Sequence, residues 1–122
     1  MYVLDTNAII YYLTSDSAHT SLDRIIESAD QLYVSVVSEV ELFGFPSLTE
    51  DEAQAIERFL QGVTIIPLDS RLARVAGGFR REFRIKTPDS VIAATAFMTG
   101  AVLVTRNIKD FRKIDLLQLK RI

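Results

Sequence analysis

The sequence predicts an α/β fold in the form of a three-layer α/β/α sandwich around a central parallel sheet. Short apolar runs, several of them rich in β-branched residues, alternate with longer helix-like runs along the 122 residues. The short runs lack an alternating polar face, which is typical of parallel strands that helices cover on both sides. The length suits one domain, and neither a linker nor a repeat divides it, so we assign residues 1–122 to a single domain.

The apolar runs predict five strands, the last weaker than the others, at residues 2–4, 32–35, 63–66, 101–104 and 117–120. Apolar periodicity and the remaining long runs predict helices at residues 7–13, 21–29, 37–43, 50–61, 70–83 and 88–98. Thr49 and Glu52 have the spacing of a capping box at the start of the fourth helix, and Gly62 ends it. Pro88 suits the first turn of the last helix, which Gly100 ends.

Composition excludes several kinds of site. Hydrophobic residues make up 48% of the chain, enough for a core, and the formal net charge is −2, so nucleic-acid binding would need a local basic patch. The chain has no cysteine and one histidine, His19, which excludes thiolate metal sites and argues against a histidine-rich one. Neither a signal peptide nor an apolar run of about 20 residues is present, so we expect a soluble, cytoplasmic protein with no membrane partner.

Four patches that each carry a carboxylate or carboxamide lie beside apolar runs. They are LDTN at 4–7, SEVEL at 38–42, PDSVIAATA at 88–96 and TRNIKDF at 105–111. Acidic groups beside apolar strands are costly unless something pairs them, and a divalent cation pairs several at once. Ligands of parallel sheets gather at the carboxyl ends of strands, where Asp5 and Thr105 both lie. The sequence therefore predicts a candidate site that contains Asp5, Glu41 and Asp89.

Each of these acids also has an ordinary structural explanation. Asp5 can be the N-cap of the helix that follows, and Asp89 lies in a first helical turn, where acids are favoured. Glu41 can be a surface residue. Glu39 lies two positions away and faces a different side of the helix, so only one of the two can enter the site, and we select Glu41. These explanations account for the acids singly but not for the three together.

The one dense basic stretch comprises Arg80, Arg81, Arg84 and Lys86, and it leads directly to Asp89. It is either a solvated helix face or an edge that binds the phosphates of a substrate beside the acids. Three aromatic side chains can either pack in the core or stack on the bases of a nucleic acid. They are Tyr11, Tyr12 and Phe83.

Clustered carboxylates can hold Mg²⁺ or Mn²⁺ through hard oxygen ligands, and without the cation their mutual repulsion raises their pKa values. Such a cation can activate water for attack on a phosphodiester. This chemistry needs neither histidine nor cysteine. The chain has no phosphate-binding P-loop and no glycine-rich dinucleotide motif, so the nucleotide sites built on those motifs are unsupported.

The four patches, in this order, resemble the PIN-domain family, and most of all its VapC-type ribonuclease toxins. The LDTN segment alone is a weak match, whereas its combination with DxxIAATA and TxNxxDF at these separations is specific. The resemblance covers essentially the whole chain. It implies a parallel α/β/α sheet and an endoribonuclease that depends on Mg²⁺ or Mn²⁺ and acts on RNA. It further implies a cognate antitoxin and a homodimer.

Carried onto this chain, the resemblance places the catalytic, metal-binding acids at Asp5, Glu41 and Asp89. The family often has a fourth acid in the turn after the fourth strand. Asn107 stands at that position here and Asp110 follows three residues later, so either residue can complete the metal site. The supporting groups, which orient ligands or substrate, are Thr6, Asn7 and Thr105.

Two other classes fit parts of the pattern. A response-regulator receiver domain has a similar length, acidity and alternation, with Asp69 as phosphate acceptor and Lys109 as its lysine. That chemistry needs two acids after the first strand, and Asp5 is the only one here. A catalytically silent PIN-like module that binds RNA or protein is the other alternative. The leading hypothesis is a metal-dependent endoribonuclease that is the toxin of a toxin–antitoxin pair.

Overall fold

The computed structural model describes residues 1–15 and 21–122, so His19 lies outside the described residues. All the strand pairings in its five-stranded sheet are parallel, and the strand order is β3-β2-β1-β4-β5. The strands are β1 Tyr2–Leu4, β2 Leu32–Ser35, β3 Thr64–Ile66, β4 Val102–Thr105 and β5 Leu119–Arg121. Each predicted strand is present, with bounds shifted by two residues at most.

The described part of the chain contains seven helices. They are α1 Thr6–Thr14, α2 Ser21–Ser28, α3 Val36–Phe43, α4 Glu50–Gln61, α5 Ser70–Phe83, α6 Thr87–Thr99 and α7 Ile108–Phe111. The capping box of Thr49 and Glu52 is formed. No helix is predicted within the patch at residues 105–111, yet α7 occupies four of its residues. One turn is too short to show a helical period, and the burial of Phe111 holds it in place.

The core has two parts, one on each face of the sheet. Successive strand residues point to opposite faces, so Val3 packs with α5 and α6 while Leu4 packs with α1, α2 and α4. Helix α6 is buried along most of its length, from Ser90 to Ala96, which explains why it is apolar on every side. This arrangement confirms the predicted three-layer sandwich with a central parallel sheet.

The strand order determines where a ligand can bind. The chain adds β2 and β3 on one side of β1 and then crosses to place β4 on the other side. The carboxyl ends of β1 and β4 therefore form the switch point, where α/β sheets bind their ligands. A receiver domain has the order 2-1-3-4-5, so the receiver alternative is wrong. In addition, the Asp69 side chain accepts a hydrogen bond from the Leu72 N–H as the N-cap of α5.

Over residues 1–15 and 21–122, no helix combines the length and the apolarity that a membrane span requires.

Alanine substitutions of two glycines should change the free energy of unfolding in opposite directions. Gly100 ends α6 with φ 71°, a left-handed conformation in which a Cβ is strained. Gly77 lies inside α5, is exposed, and has no atom within 4 Å of an added Cβ. We expect Gly100→Ala to lower the free energy of unfolding by about 1 kcal/mol. Gly77→Ala should raise it by about 0.5–1 kcal/mol. Urea unfolding of both variants checks this, and shifts of the same sign would contradict it.

Candidate active site

Asp5 joins three elements at the carboxyl end of β1. It is 4% exposed. Its Oδ1 accepts a hydrogen bond of 2.7 Å from the Ala8 N–H, which makes it the N-cap of α1. Its Oδ2 accepts a second hydrogen bond from the Thr105 hydroxyl at the end of β4. The capping explanation of Asp5 is therefore correct, and the same side chain also reaches the switch point of the sheet.

Thr105 organises the turn that follows β4. While its hydroxyl donates to Asp5, its Oγ1 accepts a 2.8 Å hydrogen bond from the Asn107 N–H. The Asp5 N–H in turn donates to the Val104 carbonyl at 3.2 Å. These contacts hold the ends of β1 and β4 in a fixed relation, so the turn is positioned against Asp5.

Glu41 is held by a short chain of hydroxyl groups. The Thr6 hydroxyl donates to Glu41 Oε1 at 2.5 Å, and Ser38 Oγ lies 2.9 Å from Thr6 Oγ1. Because Thr6 has a single hydroxyl proton, Ser38 must be the donor to Thr6. We did not single out Ser38 from the sequence, although it lies three residues before Glu41 and so on the same helix face. Glu39 faces a different cavity, beside Phe43 and Leu60.

Asp89 is the acid that local structure explains least. It lies in the first turn of α6, yet Lys86 occupies the N-cap position and no side chain caps this helix. Within the described ranges, the Asp89 carboxylate makes no hydrogen bond and no ion pair. It is partly buried and faces the same cleft as Asp5 and Glu41.

The cleft has a volume of about 500 Å³. Its polar lining residues are Asp5, Thr6, Asn7, Glu41, Asp89 and Asn107, and its other lining residues are Ile10, Val40, Gly44, Phe45, Pro46 and Ile92. Gly44 ends α3 so tightly that a Cβ there would lie 2.6 Å from the Val40 carbonyl oxygen. A glycine is therefore required where the chain turns into this wall of the cleft.

Asn107 and Asp110 take different positions. Asn107 lines the cleft, and its Nδ2 donates a 3.0 Å hydrogen bond to Asp110 Oδ2. That hydrogen bond holds the pKa of Asp110 below its usual value, with help from the positive charge of Lys113, whose Nζ lies 3.8 Å from Asp110 Oδ1. Asp110 is not a lining residue of the cleft. The structure thus brings Asn107, and not Asp110, to the three acids.

Burial and like charge raise the pKa values of two of the three acids. Burial is the larger cause for Asp5, and the charge of Glu41 adds to it, although the hydrogen bonds from Thr105 and Ala8 act in the opposite direction. For Asp89, burial again comes first, followed by the charges of Asp110, Glu41 and Asp5, while Lys86 lowers the pKa. The acids of this cleft therefore repel one another, and no basic side chain in the described residues forms an ion pair with Asp5, Glu41 or Asp89.

The donor set fits a hard divalent cation that retains water ligands. Within residues 1–15 and 21–122, no three acidic or histidine side chains form a group close enough to hold a metal ion by themselves. Mg²⁺ does not require such a group, since it keeps several waters and commonly binds through one or two carboxylates. The oxygen-only donors and the unpaired like charges of the cleft favour such an ion.

The residues of the basic stretch before α6 differ in their contacts. Arg80 Nη1 donates to the Ile85 carbonyl at 3.3 Å and to Thr87 Oγ1 at 2.7 Å, so it braces the connection between α5 and α6. Arg81 and Arg84 are exposed and do not line the cleft. Lys86 is the member of the stretch whose charge acts on Asp89 and Asp110.

The aromatic side chains considered for base stacking also differ in their contacts. Tyr12 packs on Phe59, and Phe83 packs on Phe79, so both belong to the core. Tyr11 instead lies under the guanidinium group of Arg106, with 4.7 Å between Arg106 Cζ and the ring centroid. Its place between Thr105 and Asn107 is the one feature of the sequence that could have indicated Arg106.

An acidic cleft at the switch point of a 3-2-1-4-5 parallel sheet defines a small α/β protein with a site suited to a divalent cation. Residues 2–117 match the model of the PIN domain, and the chain belongs to the PIN domain family. The predicted resemblance is confirmed.

Characterised relatives are similar over nearly their whole length. Ribonuclease VapC19 of Mycobacterium tuberculosis is 28% identical over 117 residues, covering 91% of this chain and 92% of the relative. The tRNA(fMet)-specific endonuclease VapC of Salmonella typhimurium is 28% identical over 121 residues, covering 93% and 91%. In the crystal structure of VapBC2 from Rickettsia felis bound to a promoter DNA fragment, a chain 27% identical to this one superposes with a TM-score of 0.82, covering 99% of this chain and 98% of that one.

The raised pKa of Asp5 predicts a pH dependence of stability. Between the ordinary aspartate pKa and the raised one, the folded chain retains a proton that the unfolded chain has released, so stability falls as the pH rises through this interval. Asp5→Asn removes this titration but keeps an acceptor for the Ala8 N–H. In chelator, we expect the free energy of unfolding of the wild type to decline relative to that of Asp5→Asn as the pH is raised from about 4, the ordinary aspartate pKa. Urea unfolding over this rise in pH is the measurement, and parallel curves would contradict the burial argument.

Proposed function

We propose that this chain is a metal-dependent endoribonuclease and the toxin of a toxin–antitoxin pair. Membership of the PIN domain family supports the proposal, as do relatives named as VapC ribonucleases. The observation that carries it is the convergence of Asp5, Glu41 and Asp89, which come from three separate elements, on one cleft without basic partners in the described residues.

Asp5, Glu41 and Asp89 would hold Mg²⁺ or Mn²⁺, in part through water ligands that the ion retains, with Asn107 as a further oxygen donor. The cation would stabilise negative charge on the phosphodiester and make water a better nucleophile near neutral pH. Asp110 is the weaker candidate for the fourth position, because Asn107 and Lys113 already occupy its carboxylate.

The three acids differ in the hydrogen bonds that hold them, and this difference indicates different roles. Asp5 is fixed by Ala8 and Thr105, and Glu41 by Thr6, so both are oriented before any ligand arrives. Asp89 is not fixed by a hydrogen bond and has a raised pKa, which suits a group that accepts a proton. In the proposed hydrolysis, water forms a bond to phosphorus on the side opposite the breaking P–O bond, and its proton passes to a carboxylate of the cleft. The leaving oxygen keeps the electron pair of the broken bond and takes up a proton from solvent.

The partner proposals follow from the relatives. A cognate antitoxin is supported by the similarity to the VapBC2 complex of Rickettsia felis. Apolar side chains beside the cleft offer a surface for it or for a second copy of this chain in a homodimer. Val40 is 70% exposed, Phe45 is 47% exposed and Phe43 is 38% exposed. The proposed toxin would act on RNA in the cytoplasm.

Replacing an acid of the cleft should abolish RNA cleavage without unfolding the chain. We expect Asp89→Asn and Asp5→Asn each to reduce the rate by about 100-fold or more, since each removes a charge that holds the cation or accepts the proton. The measurement is cleavage of a mixed RNA pool and of individual transfer RNAs, with Mg²⁺, with Mn²⁺ and with chelator. Asp115→Asn, an exposed acid that does not line the cleft, is the matched control.

The outcomes separate the competing explanations. Equal cleavage by the wild type and both cleft variants would indicate a contaminating nuclease. Metal binding by the wild type without cleavage of any RNA would favour the silent binding module. Full activity in Asp89→Asn alone would remove Asp89 from the site.

The hydroxyl of Thr6 should set the affinity for the metal. Thr6→Val keeps the shape of the side chain but removes the hydrogen bond to Glu41, so we expect the metal concentration for half-maximal cleavage to rise about tenfold. Thr6→Ser retains the hydroxyl and should behave like the wild type. A metal titration of the three proteins tests this, and an equal loss in both variants would point to packing instead of the hydroxyl.

A further inference from the structure

Arg106 carries a charge that the fold does not use. Its guanidinium lies over the ring of Tyr11 at 4.7 Å. It is exposed, and within residues 1–15 and 21–122 it forms neither an ion pair nor a hydrogen bond. An arginine that stabilises nothing except a stacking contact is available to a ligand.

Arg106 and Tyr11 do not line the cleft themselves, but both are neighbours of residues that do. Arg106 stands between Thr105, which donates to Asp5, and Asn107, which lines the cleft. Tyr11 lies four residues after Asn7 and next to Ile10 on α1, and both of those residues line the cleft as well. The stacked pair therefore lies at the rim, where the end of β4 meets α1.

The stacking contact prepares the guanidinium for a phosphate. A guanidinium group is planar and presents its N–H donors at its edge, so a ring against one face leaves the edge free for a bidentate contact. The cleft itself is acidic and repels the strand that must enter it. A fixed positive charge at the rim offsets that repulsion. Arg80 does not line the cleft, and its Nη1 is directed at Ile85 and Thr87.

We propose that Arg106 binds a backbone phosphate of the RNA strand next to the phosphate that enters the cleft, and that Tyr11 is a positioning residue that holds the guanidinium in place. This inference rests on the proposed function and specifies its substrate contact. The contact reads the backbone of the strand and not its bases.

Binding measured without cleavage tests the phosphate contact. In the Asp89→Asn chain with Mg²⁺, single-stranded oligo(A) and oligo(U) RNA are the probes. Arg106→Gln should weaken binding of both about tenfold, the loss expected for one hydrogen-bonded charge pair. It should also reduce the slope of log affinity against log salt by about 0.7. Arg58→Gln, an exposed arginine on α4 outside the cleft, is the matched control and should bind like its parent.

Two substitutions of Tyr11, one that keeps the aromatic ring and one that removes it, test its positioning role. Tyr11→Phe keeps the ring under Arg106 and should bind RNA like its parent, whereas Tyr11→Leu should bind about threefold more weakly, with the salt slope unchanged. In the cleavage-competent chain, Arg106→Gln and Tyr11→Leu should raise KM and leave kcat nearly unchanged, because the contact is made equally in the ground and transition states.

Each outcome decides between explanations. If Arg106→Gln matches Arg58→Gln in RNA affinity, salt slope and KM, the inference is overturned. The nuclease proposal remains intact in that case. A loss confined to one of the two oligonucleotides assigns Arg106 to a base and also overturns it. If the RNAs bind too weakly to measure but the wild type cuts RNA, KM decides. If the wild type neither binds nor cuts RNA, the proposed function fails, and this inference fails with it.

Discussion

The buried contact between Asp5 and Thr105 is the constraint on which the rest of the site depends. A carboxylate that is 4% exposed is tolerated only when hydrogen bonds replace the water it has lost. One oxygen of Asp5 begins α1, and the other accepts from a hydroxyl 100 positions away at the end of β4. The same hydroxyl accepts from the turn that carries Asn107. One acid therefore sets the start of a helix, the relation between two central strands and the position of a further cleft residue.

The sequence predicted the sheet and six helices because their determinants are local. Doubly buried strands appear as short apolar runs, and the capping box of α4 and the glycine that ends α6 are short-range patterns. Helix α7 was missed for a physical reason, since a single turn shows no period and depends on the burial of Phe111 by the rest of the fold. The strand order, which excludes a receiver domain, depends on contacts across the chain that no local pattern encodes.

The site was predictable to the extent that spacing determines it. Helical geometry showed that only one of Glu39 and Glu41 can enter the site, and the structure places Glu41 in the cleft. The end of the first strand was enough to indicate Asp5. Contacts between side chains from distant segments were not predictable. The donation from Ser38 to Thr6 joins residues 32 positions apart, and the stacking of Arg106 on Tyr11 joins β4 to α1. The roles within the basic stretch were not predictable for a related reason, because nothing in its composition distinguishes Arg80, which braces a connection, from a residue free to bind phosphate.

Two of the three acids of the cleft stand at the beginnings of helices, whereas Glu41 lies near the end of α3, and this has an electrostatic consequence. Asp5 is the N-cap of α1, Asp89 lies in the first turn of α6, and Asn107 is the N-cap of α7. The aligned peptide dipoles of a helix place roughly half a positive charge at its first turn. The backbone therefore supplies part of the positive charge that the carboxylates need, although burial still raises the pKa values of Asp5 and Asp89. Unlike a bound ion, this contribution cannot be removed by a chelator, so the surroundings of Asp5 and Asp89 are less negative than these two carboxylates alone would make them.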